Sequence, residues 1–232
     1  MRSVLPLLRL AACAALACAG VARAQANWPA LEAPAGAHVV QVAGDMVLNG
    51  QHSRISRLDM TGSADDLLAF YRTQFGARHV ENRVGPARVI ASQLGDRFVT
   101  VRIVAPLDGA VQATIMETQV GGGRSHSRVE HDTETMLPAG SAVIQTQEST
   151  DAGSPSLMLM AANRTGLQAN RDTLVEQLAA RGFRVVREDT ADSGGHEIRT
   201  LALASATEDA SITVSDTGEY RSLLIQRTRR PQ

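Results

Sequence analysis

Residues 63–76, SADDLLAFYRTQFG, read as one complete helix, and the segments around them decide the fold. The Ser63 hydroxyl can accept from a backbone N–H of the first helical turn, and Asp66, three residues on, completes a capping box. Asp65 and Asp66 also place negative charge at the positive end of the helix dipole. Leu67, Tyr71 and Phe75 recur every four residues with Leu68 beside them, which makes one apolar stripe. Gly76 is the residue type that ends a helix. Upstream, Ser53 to Met60 reads as a strand, and His38 to Val47 as an opening strand-like run. Downstream come four extended segments near 77–82, 87–94, 97–104 and 111–120, separated by turn residues such as Gly95-Asp96 and Pro106 to Gly109.

The second half of the chain repeats this order. Ser156 to Ala162 is a strand rich in Leu and Met. Asn170 is the expected cap of a second helix carrying Leu174, Val175 and Leu178, and Gly182 ends it. Extended runs follow at 183–188, 196–204, 210–215 and 220–227. Between the halves, residues 121–128 (GGGRSHSR) read as a Gly-rich linker, and Thr146 to Pro155 as a second loose stretch. The expected fold is α+β: two tandem small domains, 38–120 and 129–228, each with one helix packed on an antiparallel sheet in a βαβββ-like order.

The N-terminus points to export. Arg2 and Arg9 precede a short apolar run from Leu10 to Val21, and Ala22-Arg23-Ala24 matches a small-x-small cleavage site. Residues 1–24 therefore read as a signal peptide and the protein as periplasmic or secreted, with no membrane span in the mature chain. Leu10-Ala11-Ala12-Cys13 offers the alternative of a lipoprotein lipidated at Cys13. Both cysteines, Cys13 and Cys18, fall in the leader, so cleavage after Ala24 leaves no disulfide, thiolate nucleophile or Cys-ligated metal.

Charge and composition narrow the function classes. All 23 basic residues are arginine, and the whole chain carries a formal net charge of −1, more negative once Arg2, Arg9 and Arg23 leave with the leader. A nucleic-acid partner is not expected of such a balance. Aromatic residues make up 3% of the chain, too few for a stacking platform. The absence of lysine excludes a P-loop, and no G-x-S-x-G, H-E-x-x-H or calcium-loop pattern is present. Ser141 reads as a loop residue. His126 and His131, with Glu130 and Asp132 adjacent, have zinc-binding residue types but a spacing that specifies no geometry. His79, His131 and His196 are the histidines that a catalytic constellation would have to gather. No catalytic, cofactor-binding or metal site is therefore expected.

Contacts are the remaining chemistry. Trp28 stands just after the cleavage site and can anchor in a partner or fold back on its own domain. Arg124 and Arg128 bracket the linker, and Arg229 and Arg230 end the chain, where they can meet an anionic group. The long strand Val111 to Val120 and the run Leu157 to Ala161 are candidate edges for strand addition. In plan and compartment the chain resembles, broadly, accessory components of bacterial envelope, secretion or pilus assemblies. The expectation is an exported, non-catalytic protein with a protein partner in the cell envelope; the alternative is a binding module for a small molecule, peptide or cell-wall fragment in a cleft between the domains.

Overall fold

The computed structural model describes residues 28–104, 110–121, 126–151 and 153–231. The expected leader, with Cys13 and Cys18, and Arg124 of the expected linker lie outside the described residues. Among these residues twelve strands and three α-helices follow one another as β1 (His38–Leu48), β2 (Gln51–Thr61), α1 (Ala64–Phe75), β3 (His79–Val84), β4 (Ala87–Leu94), β5 (Arg97–Val104), β6 (Ala110–Gln119), α2 (Arg128–Glu134), β7 (Ala142–Asp151), β8 (Ser154–Asn163), α3 (Leu167–Ala179), β9 (Arg184–Ser193), β10 (His196–Ala204), β11 (Glu208–Asp216) and β12 (Arg221–Arg229).

All twelve strands belong to one antiparallel sheet, ordered β3-β4-β5-β6-β2-β1-β7-β8-β12-β11-β10-β9. This corrects the expectation of two helix-on-sheet domains. The protein is mostly β, and the sheet runs unbroken through the junction. The reason lies at β1 and β7, each the first strand of its half. They pair through Met46↔Ser149, Val47↔Glu148 and Leu48↔Gln147. Just beyond, the Asn49 amide donates to the Thr146 carbonyl at 2.9 Å, and the Asn49 Oδ1 accepts from the Thr146 amide at 2.9 Å. Asn49 has a φ of +50°, a turn conformation that Asn tolerates better than most residues. The stretch from Thr146 to Pro155, expected to be loose, supplies much of β7 and the start of β8.

The strand order nonetheless repeats. Read outward from the junction, the first half runs β1-β2-β6-β5-β4-β3 and the second β7-β8-β12-β11-β10-β9. Each half buries its own core. In the first, Leu67, Leu68, Tyr71 and Phe75 of α1 cover inward residues such as Leu58, Val101 and Ile115. In the second, Leu174 and Leu178 of α3 cover Leu159, Ile212 and Ile225. A short segment ahead of each first strand completes each core: Leu31 and Ala37 in one, Met136 and Leu137, just after α2, in the other.

Local signals explain the helices. Ser63 Oγ accepts from the Asp66 amide at 3.1 Å, Asp66 Oδ2 accepts from the Ser63 amide at 3.2 Å, and Gly76 ends α1 with φ +64°. Asn170 does not cap α3, which starts at Leu167 with Gly166 before it. Asn170 is instead fully buried in the first turn and trades amide hydrogen bonds with Asn163 at 2.7 and 3.0 Å. Tyr71 of the α1 stripe is fully buried, its hydroxyl included. Among the described residues no helix is long and apolar enough to cross a membrane.

Candidate functional site

The register of the two halves brings equivalent positions into view. The first residue of β5 pairs with the last of β6, Arg97↔Gln119, and the first of β11 with the last of β12, Glu208↔Arg229. Glu117 and Arg227 then match, each third from the end of its strand, and Ser53↔Thr118 matches Ser156↔Thr228. The sequence at these strand ends is ETQ at 117–119 and RTR at 227–229.

Both matched residues are buried and charged. Glu117 is 2% exposed and is met by Arg54 Nε and by Arg97 Nη1 at 3.4 Å. The same two arginines donate to the Pro29 carbonyl, at 3.2 and 2.8 Å, and the Arg54 guanidinium lies 5.1 Å from the centre of the Trp28 ring. Trp28 thus packs on its own half of the sheet, through a cation–π contact. Arg227 is 8% exposed; it donates to Asp132 Oδ2 at 2.7 Å and Glu208 Oε2 at 2.8 Å, and stands 5.7 Å from the Phe183 ring centre. Burial works against the Arg227 charge, but the two carboxylates hold its pKa above the ordinary value. Burial would likewise raise Asp132, yet hydrogen bonds from Arg227 and Arg181 hold it below the ordinary carboxylate range.

Beside Arg227 the junction of the halves opens into a groove of about 460 Å³. Its floor follows one row across the sheet, Val47↔Glu148↔Leu157↔Arg227, from β1 through β7 and β8 to β12. Val129 of α2 forms a wall, and Pro155, Glu208, Arg229 and His52 also line it. Glu208 is engaged by Arg227. Two other charges are not neutralised in this way. Among the described residues Glu148 Oε1 is buried with no hydrogen-bond partner, and no carboxylate lies within ion-pair distance of Arg229. A concave, largely apolar space with a few polar groups is the usual form of a ligand site, and leaving a carboxylate oxygen buried and unpaired is costly.

The residues singled out from the sequence fall in separate places. Arg229 reaches the groove. Arg128 opens α2 and is exposed. Arg230 is paired with Asp209, and the terminal arginines up to Arg229 belong to β12 and are not a loose tail. The strand containing Val111 to Val120 is no edge, since β6 lies between β5 and β2; the run Leu157 to Ala161 is interior too, since β8 lies between β7 and β12. His79, bonded through Nδ1 to the Gly76 carbonyl at 2.6 Å, opens β3, and His196 opens β10 near the other end of the sheet, so the two do not converge. Ser141 donates to the Pro138 carbonyl at 2.7 Å, a turn role. Glu148 escapes a reading of the sequence because residues 145–150, QTQEST, are polar throughout and carry no apolar alternation that would mark a strand.

The chain matches no family model, and no curated protein or solved structure is significantly similar to it.

Proposed function

We propose that the protein is an exported, non-catalytic binding module whose groove at the junction of the two halves takes a short peptide with free ends, or a zwitterion of similar size. The observation that carries this reading is the pair of unneutralised opposite charges, Glu148 and Arg229, on one apolar groove. Glu148 lies two strands from β12, and Arg229 is two residues beyond the row that Glu148 shares with Arg227. Strand spacings of about 4.8 Å and a rise of about 3.4 Å per residue put their Cα atoms roughly 12 Å apart. That suits a di- or tripeptide, its ammonium toward Glu148 and its carboxylate toward Arg229, while Val47, Leu157 and Pro155 accept apolar side chains.

Calorimetric titration of the mature protein with trialanine tests it. Saturable binding is expected, and Arg229→Ala and Glu148→Gln should each weaken it about tenfold, the worth of one charge-assisted hydrogen bond. Binding untouched by both substitutions would overturn the reading.

A second reading, contact with an envelope protein by strand addition, has its own observation. The outer edge strands carry charges that discourage pairing, Glu81 and Arg83 on β3 and Arg187, Glu188 and Asp189 on β9. The inner overhangs do not. The β1 residues 38–43 and the β7 residues 142–146 extend past their short mutual pairing and contain no Asp, Glu or Arg. Each overhang has a register irregularity, next to Val42 at 64% exposure and Ile144 at 57%.

A further inference from the structure

Four charged residues are buried among the described residues: Arg97, Glu117, Glu130 and Arg227. Three of them neutralise one another or nearby partners through arginine–carboxylate pairs. Glu130, 2% exposed, has no arginine partner among the described residues. Its Oε1 accepts from the Thr146 hydroxyl at 2.7 Å and, among the described residues, otherwise meets only His126 Nδ1, at 3.4 Å. A buried carboxylate held by a neutral hydroxyl lacks the counter-charge that burial demands.

The end of the segment expected to be a linker turns into α2 at Arg128, with Ser127 as its cap. That changes the spacing argument. His126, Glu130 and Glu134 succeed one another at four-residue intervals and so share one side of the segment, whereas His131 does not. One donor atom from each of the three lies within 4.8 Å of the others. Among the described residues Glu134 has no ion pair or side-chain hydrogen bond that would compete for its carboxylate.

We propose that His126, Glu130 and Glu134 form a site for a divalent transition-metal ion, with zinc the cation of best-matched chemistry. Imidazole nitrogen and carboxylate oxygen are both zinc ligand types, and three protein ligands leave a fourth position for water. The Thr146 hydroxyl supplies the outer hydrogen bond that orients a ligating carboxylate. The ion neutralises Glu130 and ties α2 to β7 through Thr146. Because α2 also carries Val129 of the groove wall and Asp132 of the Arg227 cluster, metal binding fixes the side of the groove.

The test is titration of chelator-treated mature protein with Zn²⁺ by calorimetry, with Co²⁺ absorption as a spectroscopic reporter of ligation. His126→Ala and Glu134→Gln are the variants, since both side chains lie outside the core and their loss leaves the fold intact. One equivalent should bind. Each variant should weaken binding at least tenfold, and Zn²⁺ should raise the Tm of the wild type but not of the variants. No saturable uptake, or uptake that neither variant alters, would overturn the assignment. The latter result would place the metal on the other histidines.

Discussion

Glu117 and Arg227 occupy the same position in the two halves of the sheet and carry opposite charge. Each is gripped by two residues of the other sign, Arg54 and Arg97 for Glu117, Asp132 and Glu208 for Arg227. Each also ties down the segment that covers its half: Arg54 and Arg97 hold Pro29 of the arm beside Glu117, and Arg227 holds Asp132 of α2. One architectural device is thus built twice with inverted polarity, so an exchange between halves of these charged residues would fail.

Removing the central member of either buried cluster leaves charged partners without it: Arg54 and Arg97 lose Glu117, and Glu208 loses Arg227 while Asp132 keeps only Arg181. Glu117→Ala and Arg227→Ala should each cost about 3–5 kcal/mol, read from urea denaturation. A loss below about 1 kcal/mol for either would mean that the cluster is hydrated and not structural. Arg227→Met keeps the apolar stem over Phe183 but still leaves Glu208 without its arginine and Asp132 with Arg181 alone, so it should recover only part of the loss.

Acid should loosen the second half through Asp132. Its folded pKa is held below the ordinary value, burial opposing and the Arg227 and Arg181 hydrogen bonds prevailing. The stability it contributes is therefore fully present above the unfolded value of about 3.9 and is lost as pH falls through the lowered folded value. Asp132→Asn should flatten the fall in Tm below pH ~4. The Asp132 carboxylate is partly open to solvent, so the change in slope should be modest. An unchanged or steeper slope would contradict the assignment.

Two helix starts in the chain differ in kind, and their substitutions should differ accordingly. Ser63→Ala removes a capping hydrogen bond at an exposed site and should cost about 1 kcal/mol. Asn170→Ala leaves the buried Asn163 amide short of partners and should cost about 1–3 kcal/mol. Thermal unfolding of both variants checks the order; a larger loss for Ser63→Ala would reverse it.

The inner overhangs separate the two readings of function. Val40→Arg with Ile144→Arg places charge on both unguarded stretches and should abolish capture of any strand-adding envelope partner, measured by affinity pull-down from an envelope fraction. Peptide binding in the groove should be unaffected, since neither residue lines it. Loss of trialanine binding in this variant would contradict the separation.

How much the sequence disclosed depended on the range of the interaction. The α1 segment was legible to the residue because its cap, stripe and stop are all local. The repeat of elements was legible as order alone. What escaped was the joining of the halves, because only three residue pairs and one Asn turn make β1 and β7 neighbours, and neither strand advertises its partner. Asn170 misled because its side chain has two uses, capping and buried amide pairing, and Asn163, seven residues earlier, decides between them. Arg229 was noticed for its charge, but its meaning depends on Glu148, 81 positions away in the chain and two strands away in the sheet.

The most direct test of the groove is an NMR titration comparing trialanine with its N-acetylated, C-amidated form. The account predicts that the free-ended peptide shifts the amide signals of Val47, Leu157 and Arg229 in a saturable way, and that the blocked peptide, lacking both charges, leaves them in place. Equal shifts from both peptides, or shifts confined to residues outside the groove, would contradict it.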